Sequence, residues 1–207
     1  MTKLRKLKQS DAPLMLEWMH DEDVVHFMKA DFQHKTLNDC ERFIKSAQED
    51  TKNIHLAATD DNDTYLGTVS LKNIDNESAE FAITMRKTAM GKGCAAEAMK
   101  QIIDKGFNEL GLEYIYWYVR PENKRAVRFY DKNGYQRMSF NKLCDQLNKT
   151  ELFRNSGGGT RRSRILHLVP RARQQSKNRV ERLNTRRQLN MRSLSALVQK
   201  NTEEKDD

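Results

Sequence analysis

No stretch of the 207-residue chain approaches the roughly 18 to 20 consecutive apolar residues of a membrane-spanning helix. The first ten residues are basic with no apolar run behind them, so no secretory signal is expected and the protein reads as cytoplasmic. Cysteine is scarce. Cys40, Cys94 and Cys144 are widely spaced and odd in number, which excludes a disulfide framework and a cysteine-rich zinc site and fits a reducing compartment. No metal is expected. There is no Gly-Lys-Ser/Thr, hence no P-loop. Internal repeats are absent, and so are aromatic residues after Phe153.

What is present is unevenly distributed. Residues 1–153 hold 23 Lys and Arg against 24 Asp and Glu. Residues 154–200 hold 13 basic residues against Glu181 alone, and the last seven are acidic. The net charge of +8 therefore belongs to a tail, not to the body.

The body alternates strand and helix patterns. Leu4–Leu7, Ile54–Ala58, Tyr65–Leu71 and Ala79–Met85 read as strands, the middle two forming a hairpin across Asp60–Asp63. Helices are expected from a start at Ser10–Pro13 to about Met19, over 36–49 and 123–131, and from Cys94 with Ala95, Met99, Ile102, Ile103, Phe107 and Leu110 on one face. Pro13 suits a first helical turn, and Gly111 a helix end. Tyr114–Val119 is apolar or aromatic throughout, as a strand covered on both faces would be. Tyr135–Phe140 reads as a last strand. The fold class is α/β, with a mixed, mostly antiparallel twisted sheet flanked by helices. The expected division is a domain over 1–140, an irregular insertion over 141–164 and a basic, partly disordered tail over 165–207.

Chemistry concentrates at residues 88–95. A glycine-rich loop running into a helix N-terminus lets backbone N–H groups converge on an anion, and a phosphate-bearing cofactor is its natural occupant. The loop follows a hairpin-rich set of strands, not a first βαβ unit, which argues against a dinucleotide-binding fold.

Downstream, Arg120 and Pro121 follow the strand, then come Asn123, a helix carrying Ala126 and Tyr130, and Gly134-Tyr135. This run resembles the C-terminal signature of the GNAT superfamily of N-acetyltransferases, which is strand, Asn, Ala-x-x-x-Tyr helix, Gly-Phe/Tyr. The loop Met90-Gly91-Lys92-Gly93-Cys94-Ala95 resembles the family's pyrophosphate motif, Gln/Arg-x-x-Gly-x-Gly/Ala, with Met90 where Gln or Arg is usual. The resemblance spans about residues 3–140. Trp18–Val24 is similar to the branch of ribosomal-protein and amino-sugar acetyltransferases.

The resemblance implies acetyl transfer from acetyl-CoA to a primary amine by direct attack in a ternary complex. An alkyl amine of pKa roughly 10 must first lose a proton, and the leaving thiolate gains from a proton donor. Tyr130 stands at the family's general-acid position. The backbone of Ile83 and Met85 would hold the pantetheine, and Asn123 would bind near the cofactor or simply cap its helix. Glu80 is the expected base, with His20, His26, His34 and His55 as alternatives, and Cys94 is a small loop residue. Trp18–Phe32 would form the acceptor side, made negative by Asp21, Glu22, Asp23 and Asp31. The acceptor is a small-molecule amine or a protein N-terminus.

Beyond Phe140 the family pattern breaks. The sheet's last strand is missing unless Ile165–Val169 supplies it after an insertion. A fold that has lost turnover, with a basic tail contacting nucleic acid or ribosome, is the competing expectation.

Overall fold

Short runs rich in apolar and β-branched residues, separated by turns, make four segments of the first half of the chain into strands. The computed structural model describes residues 1–28, 30–139, 141–142 and 165–171. Strands β1 (Lys3–Lys6), β2 (Ile54–Thr59), β3 (Tyr65–Lys72) and β4 (Ser78–Met85) pair antiparallel in sequence order. Strand β5 (Tyr114–Val119) joins β4 in parallel, and β6 (Arg137–Met138) pairs antiparallel with β7 (Ile165–Pro170). The sheet order is β1-β2-β3-β4-β5-β7-β6. Ile165–Val169 thus does supply a strand, between β5 and β6. The strand expected over Tyr135–Phe140 is only Arg137–Met138 among the described residues. The chain divides into two compact units, 1–169 and 170–207, and only Pro170 and Arg171 of the second are described.

Helix α1 (Ala12–Met19) starts with Pro13 in its first turn. The single turn α2 (Glu22–Val25) is capped by the Asp21 side chain, which accepts from the Asp23 N–H. A reciprocal box between Thr36 and Asp39 starts α3 (Leu37–Glu49). These helices cover one face, burying Met15, Trp18, Cys40 and Ile44 against Ala57 and Tyr65. There the Trp18 indole donates to the Tyr65 hydroxyl at 3.0 Å, and that hydroxyl lies 2.6 Å from Thr68.

Helix α4 (Cys94–Asn108) covers the other face with Ala98, Met99, Ile102, Ile103 and Phe107, packed on Val69, Leu71, Phe81 and Ile115. Burying each large side chain contributes about 1.5–3 kcal/mol. Gly106 lets helix and sheet approach closely, since a Cβ there would lie 2.7 Å from Ile115 Cδ1. The helix ends before Leu110, which is exposed rather than on the buried face. Helix α5 (Lys124–Lys132) adds Tyr130 to this second core. No helix among the described residues is long and apolar enough to cross a membrane.

Candidate active site

Strands β4 and β5 pair at Ser78–Tyr114, Ala79–Ile115 and Glu80–Tyr116, and pairing stops there although both strands run on. The sheet opens into a wedge. The Thr84 carbonyl faces β3, since a Cβ on Gly67 would lie 2.3 Å from it, and the Arg86 N–H donates to Leu66. Alternation then turns the peptide groups of Ile83 and Met85 toward the wedge, where β5 offers them no partner. A cavity of about 240 Å³ lies there, lined by Glu80, Ile83, Trp117, Asn123 and Tyr130 among others. Four of the residues singled out in the sequence (Glu80, Ile83, Asn123 and Tyr130) thus meet at one opening.

Tyr130 is almost fully buried, its ring packed at 5.2 Å from Trp117 and 5.1 Å from His167. Burial pushes its phenol well above the usual tyrosine range, with Tyr135 adding to the shift. It stays protonated, as a proton donor must. Asn123 Oδ1 accepts from the Ala126 N–H at 3.0 Å, so the residue caps α5 and lines the cavity at once.

The loop before α4 turns on two left-handed glycines, Gly91 at φ 76° and Gly93 at φ 82°. A Cβ on either would meet nothing within 4 Å, so the space in front of them is open. The N–H groups of Gly91, Lys92, Gly93, Cys94 and Ala95 make no backbone hydrogen bond to another described residue. Open space beside free donors at the positive end of a 15-residue helix fits the diphosphate of a coenzyme A thioester. Met90 is different. Its N–H donates to the Lys87 carbonyl, and its side chain packs against the α1–α3 core.

On the face covered by α1 and α3 lies a second cavity of about 340 Å³, walled by Met15, Trp18, Met19, Phe32 and Phe43 and floored by Thr68, Ser70, Ala82 and Thr84. Trp18 and Phe32 come from the segment expected to form the acceptor side. Its acids do not line the cavity: Asp21 caps α2, Asp23 is held by Lys87, and Asp31 by His34. The charged groups at this cavity are Lys35, Asp39 and Arg42. Hydrogen bonds from Thr36, then Arg42, hold the Asp39 carboxyl far below the usual range. Ala82 and Ile83 line both cavities, so the two meet at β4.

Glu80 lies on this face of β4, 3.2 Å from the Lys72 ammonium. His20 Nε2 lies 2.9 Å from the Lys35 carbonyl oxygen, His34 pairs with Asp31, and His26 packs on Phe27. His55 alone of the four lines a cavity of the site. Sequence reasoning missed His167, which reaches the Tyr130 cluster from β7. Its ring stacks on Trp117 at 5.2 Å, its Nδ1 lies 3.1 Å from the Gln136 carbonyl oxygen, and its Nε2 is buried without a partner. The available signal was the short apolar run Ile165–Val169 before Pro170, with His167 at its centre. The described residues contain no cluster able to hold a metal ion.

Residues 2–136 match the profile of the Acetyltransferase (GNAT) domain. The chain is 26% identical over 133 residues to the acetyltransferase PseH of Campylobacter jejuni, which covers 63% of this chain and 80% of that protein. It is 25% identical over 134 residues to the spermidine N(1)-acetyltransferase of Vibrio cholerae, covering 64% and 77%. The fold superposes on the crystal structure of the Vibrio cholerae spermidine N-acetyltransferase in complex with CoA and spermine at a TM-score of 0.65, with 19% identity, over 84% of this chain and 97% of that one. A wedge-split sheet, an open glycine loop and a profile match over most of the body lead to one assignment: the chain belongs to the GNAT acetyltransferase family and is an acetyl-CoA-dependent N-acetyltransferase.

Proposed function

We propose that the acceptor is a small primary amine with an apolar body, acetylated by direct attack where the two cavities meet. The observation that carries this is the shared wall at Ala82 and Ile83, with open donors on the coenzyme side and an aromatic chamber on the other. Gly91, Lys92, Gly93, Cys94 and Ala95 hold the diphosphate in this reading, and Ile83 and Met85 extend β4 along the pantetheine. Asn123 steadies the start of α5. Tyr130 protonates the departing thiolate. Glu80 favours the cationic amine at Ala82 by its charge.

The acceptor is argued from the cavity. The spermidine acetyltransferases named above suggest a polyamine. Here, however, the one carboxylate among the described lining residues is already tied to Arg42, with Lys35 beside it. A trivalent cation gains little from such a wall, whereas an aryl or alkyl chain fits Trp18, Phe32 and Phe43. The likeness of Trp18–Val24 to the ribosomal-protein and amino-sugar branch, and a protein N-terminus as acceptor, remain subordinate readings. Free thiols at Cys40 and Cys94 support a cytoplasmic setting. For domain organisation we keep the catalytic body over 1–140 and the insertion over 141–164, and start the basic tail after β7 rather than at 165. The β7 segment serves the body's sheet in this reading. Residues 143–164 and 172–207 lie outside the described ones, and any nucleic-acid contact belongs to the latter.

The test is release of free CoA thiol by the full chain with acetyl-CoA and a panel of phenethylamine, spermidine, glucosamine and a peptide with a free N-terminus. The expected result is kcat/KM for phenethylamine at least tenfold above that for the others. Preference for spermidine by the same margin overturns the acceptor assignment. No turnover with any of them, despite acetyl-CoA binding, overturns the chamber as an amine site.

A further inference from the structure

The amine must lose a proton before it can attack, and Glu80 already carries an ion pair with Lys72. The floor of the acceptor chamber offers another route. His55 on β2 stands opposite Ser70 on β3, and Ser70 stands opposite Ala82 on β4. Alternation puts all three side chains on the chamber face, in one row across the sheet, with neighbouring strands about 4.8 Å apart. His55 Nδ1 lies 2.7 Å from Ser70 Oγ. Ser70 is buried, and Phe43 of α3 holds the imidazole edge-on at 4.9 Å. The row starts at Ala82, where the two cavities meet. It ends at a residue that also lines a separate open groove, bounded by Leu7, Gln48, Asp50 and Asn53. His55 therefore stands between the chamber and an outer cleft.

We propose that Ser70 and His55 form the route by which the acceptor amine loses its proton. The claim rests on the chamber being the acceptor site. The bound ammonium donates to Ser70 Oγ. The Ser70 hydroxyl proton passes to His55 Nδ1 as the ammonium proton replaces it, leaving a free amine lone pair and an imidazolium. His55 Nε2–H then gives its proton to water in the outer groove. As the amide forms, the thiolate takes the Tyr130 proton, and the second proton shed by the nitrogen restores the Tyr130 phenol. One proton is released overall, as the reaction requires.

The electrostatics are in keeping with this. Burial holds the His55 pKa below its ordinary value; Asp50, from the turn after α3, opposes the shift, and Lys72 of β3 adds to it. Lys35, Asp39 and Arg42 are the other charges at the chamber, Asp39 and Arg42 paired with each other. The imidazole is thus neutral and ready to accept near pH 7.

The experiment is the pH dependence of kcat/KM for the full chain with acetyl-CoA and phenethylamine, or spermidine if that is the amine it takes. Wild-type turnover itself tests the chamber reading separately. For the wild type, the acid limb should fall below about pH 6.5, the usual histidine value. His55→Gln should lose about 100-fold at pH 7. It should then climb with unit slope from pH 7 to about pH 9 and level off near the amine's own pKa of roughly 10, as solvent supplies free amine, with KM for acetyl-CoA unchanged. Ser70→Ala should give the same profile and serves as the second arm should His55→Gln fail to fold, which circular dichroism reports. Glu80→Gln should raise KM for the amine without moving the acid limb. Profiles of His55→Gln and Ser70→Ala parallel to wild type at every pH overturn the proposal, as does a limb that moves only in Glu80→Gln.

Discussion

At the scale of single residues, Tyr130 allows the cleanest separation of chemistry from packing. Its ring is fixed by Trp117 and His167, while its hydroxyl makes no hydrogen bond to another described residue. Removing that oxygen deletes no internal bond, so Tyr130→Phe should change stability by less than about 1 kcal/mol. A general acid typically contributes on the order of 10²–10⁴-fold. We therefore expect kcat to fall at least 100-fold while calorimetric affinity for acetyl-CoA changes less than threefold. An equal loss in both would assign Tyr130 to packing. Tyr130 and Asn123 were singled out through the family resemblance, whose motif lies in one short window of sequence around α5. Ser70 beside His55, and His167 beside Tyr130, were not. Those pairs depend on strand register and on β7 inserting between β5 and β6, neither of which is written in any short window.

Among the elements, the two glycines at the ends of β3 and of the coenzyme loop work for different reasons. Gly67 is required by contact: a Cβ there would strike the Thr84 carbonyl at 2.3 Å and the Met85 Cα at 2.8 Å. Gly93 is required by conformation, at φ 82° with open space before it. A side chain in the left-handed region costs roughly 1–2 kcal/mol, more when β-branched. Gly93→Val should thus lower the melting temperature modestly but weaken acetyl-CoA binding more than tenfold, because the side chain points into the space a diphosphate needs. Gly67→Ala should show the reverse balance, with stability falling first. Retained acetyl-CoA affinity in Gly93→Val would remove the loop from the site. Periodicity made α1, α3, α4 and β2–β5 legible to within a residue or two. It failed for α2, a single turn set by the Asp21 cap, and for β6, whose two residues are held by β7 and carry no pattern of their own.

For the whole molecule, the question is which part of the C-terminal third the catalytic body requires. The body is nearly neutral and the basic excess lies beyond residue 153. Composition therefore suggests a boundary near 140–153, but β7 crosses it. Leu166, Leu168 and Val169 are buried at 2%, 3% and 6% exposure, and His167 closes the aromatic cluster around Tyr130. Exposing three such apolar side chains forfeits roughly 4.5–9 kcal/mol, as much as the entire stability of many domains, which is about 5–15 kcal/mol. A chain ending at Phe153 should therefore be unfolded or molten by near-ultraviolet circular dichroism and should fail to bind acetyl-CoA. A chain ending at Arg171 retains every described residue of the wedge, the loop and the chamber. It should bind acetyl-CoA within about twofold of the full chain, by the same calorimetric titration. If the 1–171 chain folds yet binds tenfold more weakly, residues 172–207 contribute to the coenzyme site. Their basic side chains would then act on the phosphates of the substrate, and the deficit should shrink as salt screens the full chain's advantage.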